Sequence, residues 1–220
     1  MIFASPIPSQ LQAVRYLEDV AAQYPNVPIR VGGHSKGGNL AQYAAIHVSA
    51  DIQDRILAAY SNDGPGFEKS VPLQKGYIAI QDRLHTLIPQ SSVVGMFLTY
   101  NENYCTVKSI QNGIFQHDPM SWEILGDHFI TLPHRSPFGK RADSAIKEWL
   151  EKVPAQKQKD AFEALYRALL ATNAKTLTDL KEKRYQTLLA LMHSMNKIDK
   201  ATAKEFAKLF RTVFLQFPQK

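Results

Sequence analysis

Three residues of this chain, Ser35, His117 and Asp63, combine side-chain types and surroundings suited to acyl transfer. Ser35 lies at the centre of Gly33-His34-Ser35-Lys36-Gly37, a G-x-S-x-G pattern that forms a nucleophile elbow when a strand precedes it and a helix follows. The glycines carry a steric meaning: at so tight a corner, side chains two residues before and after the serine would meet the neighbouring strand and helix. The serine hydroxyl then stands over the end of the sheet. The Lys36 N–H and the positive end of the following helix face the place where an oxyanion forms.

A serine nucleophile needs a base within hydrogen-bond reach and an acid that orients the base. In α/β-hydrolases these follow in the order serine, acid, histidine. His117 is the best base, because it sits in a polar loop, Gln116-His117-Asp118-Pro119, after the last strand expected in the core. His34 belongs to the elbow and is expected to turn its side chain away from the nucleophile, while His47 falls in the helix that follows. Asp63 is the first choice of acid, since it ends the strand next after the elbow and is held by Gly64-Pro65-Gly66; its plain alternative is a turn-capping residue. Asp82, Asp118 and Asp127 remain open as alternatives. Ser91 and Ser92 read as helix-capping or pocket-lining residues. Phe67, Val93, Met96, Phe97 and Trp122 suit an acyl chain and equally suit a core. Cys105 reads as a strand residue. His85, His128 and His134 show no metal-ligand spacing, so neither a metal nor a cofactor is expected.

The elements needed to place these groups are visible in the pattern. Leu11, Val14, Leu17, Val20 and Ala21 form a helical stripe over 10–24. Val27 to Gly32 is a short apolar strand, and Asn39 to Ala50 has helical spacing at Leu40, Tyr43, Ala44 and Val48. Ile56 to Ser61 reads as a second buried strand that ends in Asn62-Asp63-Gly64-Pro65-Gly66-Phe67, a loop dense in turn residues. Loops at the carboxyl ends of parallel strands are where α/β proteins keep their sites. The runs 87–89 and 93–99 follow, and 104–109 reads as a further strand. From Ser136 helical patterns take over, at 145–153, 157–172, 176–195 and 201–217. The expected organisation is therefore an α/β core over 1–139 and a helical extension over 140–220.

Charge divides in the same way. Residues 140–220 hold 17 Lys and Arg against 9 Asp and Glu, a net +8, and leave 9 against 11, a net −2, for residues 1–139. Basicity thus belongs to the extension, where a solvated helical face is the commonest cause; weak contact with anionic membranes is a further expectation. No aromatic residues interleave with a basic patch, so no nucleic-acid partner is expected. No apolar run approaches the ~20 residues of a membrane span and the start lacks the features of a signal peptide, which makes a cytoplasmic location the default.

Four blocks taken together, Gly-Gly-His-Ser-Lys-Gly-Gly-Asn-Leu-Ala at 32–41, Ser-Asn-Asp-Gly-Pro-Gly-Phe at 61–67, Ile-Pro-Gln-Ser-Ser-Val-Val-Gly-Met at 88–96 and Gln-His-Asp-Pro-Met-Ser-Trp at 116–122, resemble the bacterial Mbeg-like family, a group of α/β-hydrolases related to class 3 lipases. The resemblance implies Ser35 as nucleophile, His117 as base and Asp63 as acid. Class 3 lipases place the acid near a D-x-V-P pattern, whereas the corresponding stretch here is Thr86-Leu87-Ile88-Pro89. The resemblance also implies several strands before the nucleophile strand, with a loop that completes the oxyanion hole. Too few residues precede Ser35 for them, so the expected fold is a partial, N-terminally truncated α/β-hydrolase-like parallel sheet with a helical extension. Two functions follow as expectations. One is a lipase- or esterase-type serine hydrolase acting on a small-molecule or lipid ester. The other is a catalytically incomplete remnant that binds a partner or membrane.

Overall fold

A computed structural model describes residues 6–97, 104–174, 179, 184–195 and 198–214. Two compact units divide the chain, Met1–Lys140 and Arg141–Lys220. In the first unit a mostly parallel sheet runs in the order β1 (Ile29–His34), β2 (Ile56–Asn62), β3 (Leu84–Pro89) and β4 (Cys105–Val107), and β7 (Thr131–Leu132) adds antiparallel to β4. A separate hairpin, β5 (Ile124–Leu125) and β6 (His128–Phe129), turns at Gly126. The unit is α/β, as the alternation of apolar strands and helical stripes requires.

Helix α1 (Pro8–Gln23) starts with proline at its first position, where the missing N–H costs nothing, and buries Leu17 and Ala21. Its neighbour α2 (Lys36–His47) follows the elbow and packs against α1, β1 and β2. The alanine-rich pattern that predicts a helix from Asn39 locates its body correctly, but the helix already begins at Lys36. Ala44, Ala45, Ile46, Ile56, Ala59 and Ile80 close the core beneath the sheet. Small residues at 44, 45 and 59 let α2 lie close to β2, which is what brings the helix start over the strand ends.

Two polar side chains stitch the short connections behind the site. Gln53, the last residue of α3 (Ala50–Gln53), donates to the carbonyls of Ala45 and Ile46 at 2.9 Å each and so closes the end of α2. Arg83 donates to the Gln53 and Ile56 carbonyls at 2.6 and 2.9 Å, between α4 (Lys75–Ile80) and β3. The strand expected at 104–109 is confined to β4, and the 93–97 part of the run at 93–99 is a helical turn at Val94–Met96; residues 98–103 lie outside the described residues.

The second unit is helical. It contains most of α5 (Pro137–Lys152), with α6 (Ala155–Ala171), α7 (Arg184–Met195) and α8 (Lys200–Phe214). Trp149, Phe162 and Phe206 meet edge to face with ring centroids 5.7 to 6.3 Å apart, a geometry favoured by the ring quadrupoles. Exposed ion pairs such as Lys157–Asp199 at 2.7 Å link α6 to the start of α8. Of the helix expected over 176–195, Asp179 and Arg184–Met195 are described and helical, and the end expected at Phe217 lies outside the described residues. Among the described residues no helix is long and apolar enough to cross a membrane.

Candidate active site

Ser35 joins β1 to α2 with φ 56° and ψ −127°, a backbone conformation that a non-glycine residue adopts only when its surroundings impose it. The imposition is visible on both sides. The Ser35 N–H donates to the Asn62 carbonyl at 2.9 Å, which continues the β1–β2 ladder by one residue, while its carbonyl accepts the Gly38 N–H at 3.0 Å, the first turn of α2. A Cβ on Gly33 would stand 2.5 Å from the Gly37 carbonyl oxygen and 2.7 Å from the Gly38 nitrogen. A Cβ on Gly38 would lie 2.6 Å from Ser61 Oγ.

Gly37 departs from the expected steric role, because a Cβ there meets nothing within 4 Å. The crowding on the helix side falls one residue later, on Gly38. Gly33→Ala is therefore expected to destabilise the unit by about 3 kcal/mol through backbone overlap. Gly37→Ala is expected to leave stability unchanged or raise it by up to about 1 kcal/mol. Thermal melts of the two variants decide the matter: equal losses would mean that the elbow is not held by this approach of β1 to α2.

Asp63 follows β2 directly and takes φ 49°, a left-handed conformation that aspartate tolerates better than most residues. Its N–H donates to the Leu87 carbonyl at 2.8 Å, so the turn stays fastened to β3. The carboxylate is fully buried and fully hydrogen-bonded. Oδ2 receives His117 Nδ1 at 2.7 Å; Oδ1 accepts the Ser92 hydroxyl in a short hydrogen bond and the Gly95 N–H at 3.1 Å. Such saturation is what a buried carboxylate requires. A Cβ on Gly95 would overlap Asp63 Oδ1, so that glycine too is fixed by the carboxylate.

His117 ends a short helical turn, Gly113–His117, and is anchored by the residue before it. Gln116 is buried; its Oε1 accepts the Ser91 N–H at 2.7 Å, its amide donates to the Gln111 carbonyl at 2.7 Å, and its own carbonyl accepts Trp122 Nε1 at 2.8 Å. With Nδ1 held by Asp63, Nε2 of His117 is the nitrogen left for a proton from outside.

His34 turns its ring to the His117 turn. Its Nε2 lies 2.7 Å from the His117 carbonyl oxygen, and the two rings sit 4.5 Å apart at 40°. His34 is the last residue of β1, and its ring rests against the His117 turn. The Ser35 hydroxyl makes no hydrogen bond among the described residues.

Lys36 contributes the first N–H of α2, one of the donors that a helix leaves without an internal partner. Its ammonium donates to Asn39 Oδ1 at 2.8 Å, and partial burial holds its pKa below the ordinary lysine value. Asn39 is buried and reaches across to the acid loop, donating to the Pro65 and Gly66 carbonyls at 3.1 and 3.0 Å, while Gln10 of α1 donates to its Oδ1 at 3.0 Å. One side chain therefore ties α1, the helix start and the loop after Asp63 together.

The alternative acids are engaged elsewhere. Asp118 caps the next turn by accepting the Met120 N–H at 3.0 Å, Asp127 pairs with exposed His128 at 3.0 Å, and Asp82 lies exposed in a turn before β3. Among the apolar residues, Val93, Met96 and Trp122 are buried. Cys105 opens β4, and desolvation raises its thiol pKa. Ser92 caps as expected, its Oγ accepting the Gly95 N–H at 3.1 Å, but its bond to Asp63 and the bond of Gln116 to Ser91 are roles the sequence reading misses. Both stood in polar clusters flanking strand ends, but their partners lie 29 and 25 residues away.

The chain matches the model of the Mbeg1-like family over residues 1–167. Comparison with curated proteins and with solved structures returns no match. The matched stretch contains the elbow, the Asp63 loop and the His117 turn and covers more than half of the 220 residues; this chain belongs to the Mbeg1-like family.

Proposed function

We propose that this protein is a serine hydrolase of the α/β-hydrolase type, related to class 3 lipases, that cleaves a carboxylic ester of a small molecule or lipid. The observation that carries the reading is the 2.7 Å bond between His117 and the buried Asp63 carboxylate, attached through His34 to a serine in a strained strand-to-helix corner. Structural ion pairs are common, but one whose imidazole belongs to a turn bonded to the residue just before an elbow serine matches the division of labour in acyl transfer.

In this mechanism the Ser35 oxygen attacks the ester carbonyl carbon and forms a C–O bond, while its proton passes to His117 Nε2. The carbonyl π electrons become an oxyanion that faces the Lys36 N–H and the start of α2. As the tetrahedral species collapses, the bond to the leaving alkoxide breaks and His117 returns the proton to it. Water then repeats the sequence on the acyl-serine and regenerates Ser35. Asp63 holds the tautomer that keeps Nε2 free and offsets the charge of the imidazolium.

The Ser35 hydroxyl, which makes no hydrogen bond among the described residues, favours a second reading, in which the site is incomplete and the protein serves as a partner- or membrane-binding module. Intact-mass measurement after incubation with a fluorophosphonate separates them. One adduct per chain, placed on Ser35 by peptide mapping, is expected; a folded sample without an adduct, with salt-sensitive binding to anionic vesicles, would overturn the hydrolase reading.

A further inference from the structure

We infer that His34 is a positioning residue for the base, donating from Nε2 to the His117 carbonyl so that the imidazole faces the serine one residue further along the chain. This inference rests on the reading of His117 as base.

The Asp63 bond alone leaves His117 underdetermined. It fixes one nitrogen, but the ring can still pivot about the Nδ1–Oδ2 direction, and the backbone behind it is a single helical turn that opens at Gly113 with φ 56°. Gln116 fastens that turn to the Ser91 N–H on the far side, after β3. On the near side His34 supplies the corresponding bond, the one that runs from residues 29–38 to this turn among the described residues. The chain separation is 83 residues, so no local preference produces the contact.

The chemistry of the bond fixes the state of His34. A carbonyl oxygen only accepts, so Nε2 must carry the proton and the ring is a donor. The tilted approach of the two rings, 4.5 Å apart at 40°, also limits how far the His117 ring can turn toward His34. Since His34 precedes Ser35 directly, any shift of β1 moves the nucleophile and the base turn together, which keeps their separation constant. Misplacement by about 1 Å can cost on the order of a hundredfold in rate.

The test compares the wild type with His34→Gln, His34→Asn, His34→Leu and His117→Ala, using hydrolysis of p-nitrophenyl butyrate and the rate of fluorophosphonate labelling. A glutamine amide reaches the place of Nε2, whereas an asparagine amide stops short of it. Expected are a fall in kcat of about thirtyfold or more for the leucine and asparagine variants with KM nearly unchanged, and rescue to within about threefold by glutamine. The asparagine and glutamine variants decide the matter even if the leucine variant fails to fold, since both keep a polar side chain. Equal rates for asparagine and glutamine overturn the donor role. If His117→Ala is inactive while the His34 variants match the wild type, only the inference about His34 falls; if His117→Ala matches the wild type, the base assignment falls and takes the inference with it.

Discussion

Ser35→Ala is expected to remove the fluorophosphonate adduct and to lower ester turnover by about 10⁴-fold or more, the size of loss seen when a serine nucleophile is deleted from an assembled site. Its melting temperature should stay close to that of the wild type, because alanine keeps the Cβ and the Ser35 hydroxyl makes no bond among the described residues. Ser35→Gly supplies a second arm. The corner holds φ 56° at a cost of about 1–3 kcal/mol for a side-chain-bearing residue, partly offset in glycine by the entropy of a freer unfolded chain. Glycine should therefore be equally inactive and more stable than alanine by roughly 1 kcal/mol. Turnover within tenfold of wild type in either variant would show that the ester is cleaved elsewhere.

Asp63→Asn is expected to lower activity by about 10⁴-fold while leaving the fold nearly intact. The amide oxygen can still accept from Ser92 and Gly95, so the buried donors keep their partner. The amide nitrogen then faces His117 and makes Nδ1 an acceptor. In that tautomer Nε2 carries the proton and cannot take one from serine. Asp63→Ala differs in stability as well, since it strips the buried Ser92 hydroxyl and Gly95 N–H of their acceptor, at about 1–3 kcal/mol for each. Paired turnover and melting data on the two variants check both halves. An asparagine variant with activity within tenfold of wild type would move the acid to another carboxylate.

Legibility followed locality. The elbow could be read because its requirements, a strand, two small residues around a serine and a helix, are satisfied within a dozen positions. Asp63 was readable as a strand-ending residue, and its positive φ follows from an Asn-Asp-Gly sequence. Gly37 was assigned the crowding that Gly38 bears, because the motif's symmetry about serine is a property of the letters and the approach of α2 to β2 is a property of packing. The contact of His34 with the His117 turn is not legible for a related reason: it joins residues 83 apart in the chain. Ser92, Gly95 and Gln116 act over 25 to 32 residues, and nothing in their neighbourhoods encodes such pairing. The two-residue strands β5, β6 and β7 are too short to show any period.

Among the described residues β1 has a single neighbour in the sheet, β2. The N–H groups of Ile29 and Ser35 point to that neighbour, toward the Arg55 and Asn62 carbonyls, and by alternation so do those of Val31 and Gly33. The amides of Arg30, Gly32 and His34 then face the open side. Amide hydrogen exchange along the strand should consequently run in two speeds, fast at the even positions and slow at the odd ones, up to Ser35 itself. The Ser35 N–H is protected only as long as β1 stays seated on β2, so its exchange rate reports how often the strand-to-helix corner opens.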